Sequence, residues 1–370
     1  MSPQPRIQCL CRSGIAADCT MIELHVVGAG DEMKAVVLEE PGRAEIKPVR
    51  EPLALGEDMV LLKVRMVGLC GSDLNSYRGR NPMVSYPRIP GHEVAATVVE
   101  AGAGALQWQP GTGVTLSPYS SCGVCASCLR GRTNACQFNE TLGVQRDGAL
   151  TEQIVVPASR LFRADLSLKE LCLVEPLTVG FHAAARGRVA AGDSVAVIGC
   201  GGVGLGAVAG AAFRGATVIG VDLDEDKLAT ARKAGAKHAI NSATEDLHVQ
   251  LAELTEGHGP DVVIEAIGLP ATFRAAVEEV AFTGRVVYIG YAKEQVAYET
   301  RLFVQKELDI LGSRNAQRED FCEVIRMLEA HRFPVDDAVT HIVPIDETPA
   351  ILEAWSREPA RFTKIMVEVG

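Results

Sequence analysis

The sequence predicts an α/β protein with two parts, a small β-rich domain and a doubly wound parallel sheet. Its 370 residues exceed what one ordinary hydrophobic core needs and suit two domains with a cleft between them. Short β-like segments separated by Gly and Pro, such as the alternating stretch 60–67, fill the first part of the chain. From residue 195 onward, apolar strands alternate with helical stretches, which is typical of a parallel sheet covered by helices.

The composition indicates a soluble globular protein that acts on a small molecule. Hydrophobic residues make up 47% of the chain and charged residues 22%. A net charge of −11 argues against nucleic acid or an anionic membrane as a partner. The sequence shows neither an apolar run long enough to span a bilayer nor the pattern of a signal peptide, so we predict a cytoplasmic protein.

Residues 1–32 are predicted to form a poorly ordered extension to which no function is assigned. Cys9, Cys11 and Cys19 lie in this stretch without sustained periodicity around them. A first strand is predicted to begin at Met33, which is also an alternative start of the protein.

Cys70 and the pair His92-Glu93 have the composition of a catalytic zinc site. A thiolate, an imidazole and a carboxylate are ligands that Zn²⁺ takes readily, and three protein ligands leave a fourth position for water or substrate. Ser72, two residues after Cys70, is near enough to hydrogen-bond to a molecule bound there. The alternative is that Cys70 is a buried core thiol and His92-Glu93 an ordinary turn.

Four cysteines at short spacing predict a second, structural zinc ion. In a reducing compartment, clustered cysteines hold metal more often than they form disulfides. Four thiolates close a tetrahedral shell without an open position, so this site would shape its loop and bind no substrate. Free thiols or two disulfides are the alternatives. The four residues are Cys122, Cys125, Cys128 and Cys136.

A glycine-rich turn between a strand and a helix predicts a dinucleotide site. The apolar strand 195–198 leads into Gly199-Cys200-Gly201-Gly202-Val203-Gly204 and then a helical stretch. The glycines let the backbone approach a pyrophosphate at the helix N-terminus. Asp222, 23 positions after Gly199, can accept hydrogen bonds from the adenosine ribose and repels a 2′-phosphate, so NAD is preferred to NADP. A glycine turn without a nucleotide is the alternative.

Further elements continue the alternation of strands and helices, and the last strand is expected to return to the first domain. The predicted strands are 217–222, 261–266, 285–290, 308–312 and 364–369, and the predicted helices are 224–234 and 320–330.

In their order along the chain, Cys70, His92-Glu93, the four-cysteine loop and the fingerprint with Asp222 resemble the zinc-dependent medium-chain alcohol dehydrogenases. Within them, the set is similar to the sorbitol (polyol) dehydrogenase-like group, which also contains threonine dehydrogenase. The likeness covers residues 33–370. It implies a homo-oligomer, either a dimer or a tetramer, with the active site in the cleft between two domains. These are a GroES-like β-rich catalytic domain, residues 33–176 and 316–370 with the structural zinc loop at 117–137, and a Rossmann NAD-binding domain at 177–315.

The resemblance also assigns roles to residues around the metal. Cys70 and His92 match zinc ligands, and Glu93 matches a carboxylate that can be a third ligand in polyol dehydrogenases. Glu175 stands where liver-type alcohol dehydrogenases have a second zinc thiolate, and which of the two carboxylates contacts the metal stays open. Ser72 matches the hydroxyl of the family's proton relay.

Other implied roles concern the cofactor and the substrate. Lys227 matches a basic residue beside the ribose, and Gly290 belongs to the cofactor-binding set. Arg314 falls where this group has an arginine facing the substrate, and a surface or domain-bridging ion pair is the alternative. Asn75 replaces a relay histidine of several relatives, which leaves the proton's route to solvent open.

The implied activity is zinc- and NAD-dependent oxidation of a secondary alcohol to a ketone, with one catalytic and one structural zinc ion in each chain. A polar site with Glu93 and Glu175 suits a hydroxylated substrate, and Arg314 extends the expected substrates from sorbitol-like polyols to galactonate- or gulonate-like sugar acids. The alternatives are an L-threonine 3-dehydrogenase-like enzyme and, from another class, a non-catalytic NAD- and zinc-binding regulatory protein.

Overall fold

The computed structural model describes residues 32–52 and 55–370. The predicted extension 1–32, with its three cysteines, lies outside the described residues except for Glu32, which begins the first strand. The β-strands are β1 (Glu32–Glu40), β2 (Arg43–Arg50), β3 (Met59–Leu69), β4 (Glu93–Ala101), β5 (Gly113–Leu116), β6 (Gln153–Pro157), β7 (Leu161–Arg163), β8 (Ser194–Ile198), β9 (Thr217–Asp222), β10 (His238–Asn241), β11 (Val262–Glu265), β12 (Arg285–Tyr288), β13 (Asp309–Gly312), β14 (His341–Pro344) and β15 (Ile365–Glu368).

The helices lie mainly in the second half of the described chain. They are α1 (Gly71–Tyr77), α2 (Ala126–Leu129), α3 (Leu168–Arg186), α4 (Gly202–Phe213), α5 (Glu225–Lys233), α6 (Leu247–Leu254), α7 (Pro270–Glu279), α8 (Arg301–Gln305), α9 (Arg318–Glu329), α10 (Val335–Ala338) and α11 (Thr348–Arg357).

Six of the described strands form a parallel sheet in the order β10-β9-β8-β11-β12-β13. This is the order 3-2-1-4-5-6 of a doubly wound nucleotide-binding sheet, so the predicted Rossmann architecture is confirmed. The central strands β8 and β11 are almost wholly apolar and buried, because helices cover both faces of such a sheet. The strand order reverses between β8 and β11, which is where ligands bind in this class of fold.

A second, mostly antiparallel sheet has the order β14-β15-β3-β4-β5-β7, with β6 also paired to β3. It corresponds to the predicted β-rich domain. β15, at the C-terminal end of the chain, pairs with β3 and brings Ile365 opposite Leu69. The chain therefore ends beside the stretch that carries Cys70, as the sequence led us to expect.

Helix α3 joins the two parts of the molecule. Ser167 caps it, accepting a hydrogen bond from the Glu170 backbone while the Glu170 side chain reaches back to Ser167. The helix continues through Pro176, so the predicted boundary between residues 176 and 177 falls inside it and no loop separates the parts there. Apolar side chains of α3 belong to a core shared with α4, β8 and β11.

In the described residues, no helix combines the length and the apolar character that crossing a bilayer requires.

Candidate active site

The turn from β3 into α1 places Cys70 and Ser72 at the start of a short helix. Cys70 is the N-cap of α1, and the buried carboxylate of Asp73 accepts a hydrogen bond from its backbone N–H at 2.8 Å. The other oxygen of Asp73 accepts from the backbone N–H of Gly91 at 3.2 Å. Asp73 thus links the backbone at Cys70 to the backbone at Gly91, next to His92. Our sequence analysis missed this residue, although an acid three positions after a helix start is a capping signal.

The structure brings Cys70, His92 and Glu93 together. One potential ligand atom from each lies within 4.8 Å of the other two. His92 Nε2 lies 3.5 Å from the Ser72 hydroxyl, and His92 Nδ1 lies 3.9 Å from Asp73 without a hydrogen-bond partner. With Nδ1 turned toward a carboxylate, Nε2 is the nitrogen left for a metal.

The surroundings of the His92 ring are strongly negative. Burial lowers the pKa of His92, but Asp73 and the Cys70 thiolate more than offset this and raise it well above its ordinary value. A divalent cation suits this environment, because thiolate, imidazole and carboxylate are all ligands that zinc accepts.

Glu93 is held by a lysine that the sequence analysis did not identify. Its carboxylate is fully buried, and Lys364 Nζ donates to its two oxygens at 2.7 and 2.8 Å and to the Leu69 carbonyl at 3.3 Å. The space for this pair depends on Gly68, where an added Cβ would lie 2.0 Å from Glu93 Oε2. Lys364 therefore neutralises Glu93 from the side of the C-terminal strand.

Glu175 reaches the same buried region from α3. It accepts a hydrogen bond from the Tyr119 hydroxyl, a partner that the sequence analysis also missed. Burial raises the pKa of Glu175, and nearby His92 opposes that shift. Burial and the Glu175 charge raise the pKa of Tyr119 well above its ordinary value, so this hydroxyl stays a donor. The choice between Glu93 and Glu175 as a metal ligand remains a prediction, although Glu93 is the one within 4.8 Å of Cys70 and His92.

The four-cysteine loop has the geometry of a closed metal shell. Its four sulfur atoms all lie within 4.8 Å of one another, and all four cysteines are free thiols. Cys125 Sγ lies 3.5 Å from Cys128 Sγ and 3.8 Å from Cys136 Sγ. Zn–S bonds of about 2.3 Å in a tetrahedron place sulfur atoms about 3.8 Å apart. Backbone N–H groups also donate to the sulfur atoms of Cys122 and Cys136 at 3.3 Å.

The predicted dinucleotide turn has the required shape. Gly199 follows β8 with φ +97°, a conformation that favours glycine. A Cβ on Gly204 would lie 1.7 Å from the Gly199 carbonyl, so helix α4 can start this close to the strand only with glycine there. A Cβ on Gly201 or Gly202 would meet no atom within 4 Å, which leaves the backbone N–H groups at the helix start accessible.

Asp222 stands at the end of β9 beside this turn. Its carboxylate accepts hydrogen bonds from the backbone N–H groups of Cys200 and Leu223, both at 2.8 Å, and of Asp224 at 3.2 Å. Lys227 lies in the first turn of α5, close in sequence to this edge of the sheet. These contacts fix the carboxylate at the edge where a ribose would lie.

Glu265 ends β11 and Arg314 follows β13, two strands of the same sheet that are separated by β12. Glu265, which we did not predict, is fully buried and accepts from the backbone N–H groups of Ile267 and Gly268 at 2.9 and 2.7 Å. Its other oxygen would lie 2.5 Å from a Cβ on Gly290, so this glycine is needed for the close approach. Arg314 follows β13 with an exposed side chain, and its role in substrate binding remains a prediction.

Two families match separate parts of the chain. A family described as "Alcohol dehydrogenase GroES-like domain" matches residues 56–165, and one described as "Zinc-binding dehydrogenase" matches residues 202–330. The first match contains Cys70, His92 and the four-cysteine loop, and the second begins in the glycine-rich turn.

Several characterised and uncharacterised proteins are similar over most of this chain. An uncharacterised zinc-type alcohol dehydrogenase-like protein of Haemophilus influenzae is 36% identical, covering 90% of this chain and 98% of its own. L-galactonate-5-dehydrogenase of Escherichia coli is 31% identical over 88% of this chain and 95% of its own. Sorbitol dehydrogenase of Bacillus subtilis is 37% identical over 76% and 81%.

Solved structures agree with the fold. A zinc-binding dehydrogenase from Sinorhizobium meliloti bound to NADP has a TM-score of 0.85 at 30% identity, covering 92% of this chain and all of its own. The rspB alcohol dehydrogenase of Escherichia coli CFT073, complexed with NADH, has a TM-score of 0.84 at 28% identity over the same shares. The two relatives carry different nicotinamide cofactors.

Proposed function

Because the chain belongs to the zinc-dependent medium-chain alcohol dehydrogenases, in the polyol dehydrogenase-like group, we propose that it oxidises an internal secondary hydroxyl of a polyol or sugar acid to a ketone. The observation that carries this proposal is the buried pair of carboxylates, Glu93 and Glu175, near Cys70 and His92. Such a polar site suits a substrate with adjacent hydroxyls. The names of similar dehydrogenases, for sorbitol and L-galactonate, agree with this substrate class.

Cys70 and His92, with Glu93 or Glu175, would hold the catalytic zinc ion, and the four cysteines a structural one. When bound, the catalytic ion supplies a Lewis acid that polarises the substrate oxygen. Ser72, half-buried beside His92 Nε2, would accept the proton of the substrate hydroxyl while its own proton leaves toward solvent. Tyr119 would keep Glu175 oriented. With Cys70, His92 and Ser72 all present, the site favours an enzyme over a non-catalytic regulatory protein.

The proposed hydride acceptor is NAD. The turn 199–204 would hold the pyrophosphate at the start of α4, and Asp222 would accept hydrogen bonds from the ribose. Lys227 and Gly290 would complete the cofactor site. Because one similar dehydrogenase binds NADP, the choice of cofactor in this chain depends on Asp222.

Replacing Asp222 with alanine is expected to raise KM for NAD⁺ about 10- to 100-fold, since charged hydrogen bonds contribute roughly 1.5–3 kcal/mol. The same change should raise kcat/KM for NADP⁺ relative to NAD⁺, because the repulsion of a 2′-phosphate is removed. Steady-state kinetics with both cofactors measure this. Asp226→Ala, which removes an exposed charge from the first turn of the following helix α5, is the control. A parent enzyme that already uses NADP⁺ as well as NAD⁺ would show that Asp222 has been assigned wrongly.

The substrate proposal is tested by a screen of NAD⁺ reduction with sorbitol, L-galactonate, L-threonine and ethanol. We expect turnover with the polyol or the sugar acid and little with ethanol. Arg314→Lys should then lower kcat/KM for a sugar acid by an amount equivalent to about 1–3 kcal/mol of transition-state stabilisation, and for sorbitol by less. The reason is that lysine cannot form the bidentate hydrogen bonds that arginine makes to a carboxylate. Ethanol or threonine as the best substrate would refute the proposal, and equal losses on both substrates would leave Arg314 without a role in recognition.

We also propose a homo-oligomer joined through the parallel sheet. β13 is an edge strand of that sheet among the described residues, and Ile310 on it is 40% exposed while Val304 nearby in α8 is 83% exposed. Edge strands with exposed apolar side chains are prone to pair with another chain. Light scattering should give a mass of at least twice 39.4 kDa, and a mass of 39.4 kDa would refute the proposal.

A further inference from the structure

We propose that Asn134, in the four-cysteine loop, positions the segment 313–315, so that this loop contributes to substrate binding as well as to stability. The proposal about the segment itself depends only on contacts of this chain. Its consequence for the substrate rests on the role proposed above for Arg314.

Asn134 connects the loop to the end of the parallel sheet. The residue precedes Cys136 by two positions and is only 2% exposed. Its side-chain amide nitrogen donates to the Arg314 carbonyl at 2.8 Å and lies 3.0 Å from His182 Nε2. Both hydrogen atoms of this amide group are therefore donated, one to the segment after β13 and one to His182 of helix α3.

The direction of each bond in this network follows from the Arg314 carbonyl. A carbonyl can only accept, so the amide nitrogen of Asn134 must face it, and the same nitrogen then donates to His182 Nε2. His182 must carry its proton on Nδ1, which donates to Asp320 at 2.8 Å. Asp320 also accepts from the Gln317 backbone at 2.8 Å and so fixes the start of α9.

A second bond holds the segment from the other side. The side-chain amide of Asn315 donates to the backbone carbonyl of Asn134 at 3.0 Å. Asn315 has φ +52°, a left-handed conformation that asparagine tolerates better than most residues. The chain thus makes a specified turn as it leaves β13, and Asn134 contacts both residues that form the turn.

Burial makes this network specific. His182 and Asp320 are each only 4% exposed. Removing the hydrogen-bond partner of a buried polar group destabilises the fold far more than removing the partner of an exposed one. The segment follows the carboxyl end of β13, and ligands of doubly wound sheets bind beyond these ends. Loss of the Asn134 bonds would therefore displace Arg314 at the edge where substrate and cofactor meet.

The first test is hydrogen exchange measured by mass spectrometry on peptides that cover residues 313–318. Asn134→Ala and the similarly sized Asn134→Leu should each raise exchange in these peptides about 10-fold, since two hydrogen bonds at roughly 0.5–1.5 kcal/mol are lost. The control is Asn139→Ala, which removes another buried asparagine of this region whose amide bonds locally to Thr141 at 2.9 Å. It should leave the exchange of 313–318 unchanged. Unchanged exchange in both Asn134 variants, or an equal rise across the whole protein, would overturn the proposal.

The second test concerns the substrate and uses L-galactonate. Asn134→Leu should raise KM for this acid about 10-fold with a smaller change in kcat, and it should add nothing in an Arg314→Ala background, because both changes act through one side chain. Additive effects would overturn the link to Arg314. Hydrogen exchange tests the positioning of residues 313–315 and needs no substrate. The single variant Arg314→Ala tests the proposed role of Arg314 in the function. Failure of the positioning proposal is therefore distinguishable from failure of the proposed function.

Discussion

Replacing Cys70 with serine is expected to lower kcat/KM by more than about 100-fold while leaving the fold intact. Loss of residues that only orient a metal ligand already lowers activity 10- to 100-fold, so loss of the ligand itself should have a larger effect. Cys70 lies at the junction of β3 and α1 and is half-buried, so a hydroxyl in its place leaves no large cavity. Steady-state kinetics and the melting temperature of the purified variant measure the two halves of this prediction.

Cys125→Ser is the matched control, because it removes a sulfur from the closed shell with the same change of atoms. This variant should lose stability with much of its activity retained at low temperature, since a structural zinc contributes directly to folding. Metal analysis should find about two zinc ions in each parent chain and about one in each variant. Fewer than two in freshly purified parent protein, or identical behaviour of the two variants, would contradict separate catalytic and structural sites.

Much of the fold was predictable because the relevant patterns are local. The strand 217–222 was predicted with the bounds that the structure shows, since six consecutive residues combine β-propensity with an acid at the end. The helix predicted over 224–234 is present as α5, and the Asp224 side chain caps it by accepting from Asp226 and Lys227. The spacing of the cysteines likewise predicted a cluster that the structure brings together.

Features that depend on distant residues were not predictable. Lys364 pairs with Glu93 across 271 positions, and Tyr119 bonds to Glu175 across 56. Nothing in either local pattern marks these residues, because a lone lysine or tyrosine is usually found at the surface or in the core without such a role. The family resemblance placed a domain boundary after residue 176, but packing of α3 on both parts of the molecule favours a helix that continues through Pro176. Tertiary contacts decide such cases.

Replacing Lys364 with methionine is expected to lower the free energy of unfolding by about 3–5 kcal/mol, because it leaves the Glu93 carboxylate buried and unpaired. Glu93 is 0% and Lys364 7% exposed, and burial lowers the pKa of Lys364 while Glu93 raises it above its ordinary value. Glu93 therefore stabilises the charged form of Lys364. Urea unfolding at a fixed zinc concentration measures the change.

Two further variants separate the buried pair from ordinary loss of a lysine. Lys34→Met removes an exposed ion pair with Asp346 at 2.9 Å and should change stability by less than about 1 kcal/mol. The double variant Glu93→Leu with Lys364→Met replaces both charges by apolar side chains of similar size, so it should recover most of the stability that Lys364→Met loses. If Lys364→Met destabilises the protein no more than Lys34→Met does, a proton or another cation must neutralise Glu93 when its lysine is removed. If that cation is the metal ion, Glu93 is the carboxylate that contacts the metal, and Lys364 competes with the metal for Glu93.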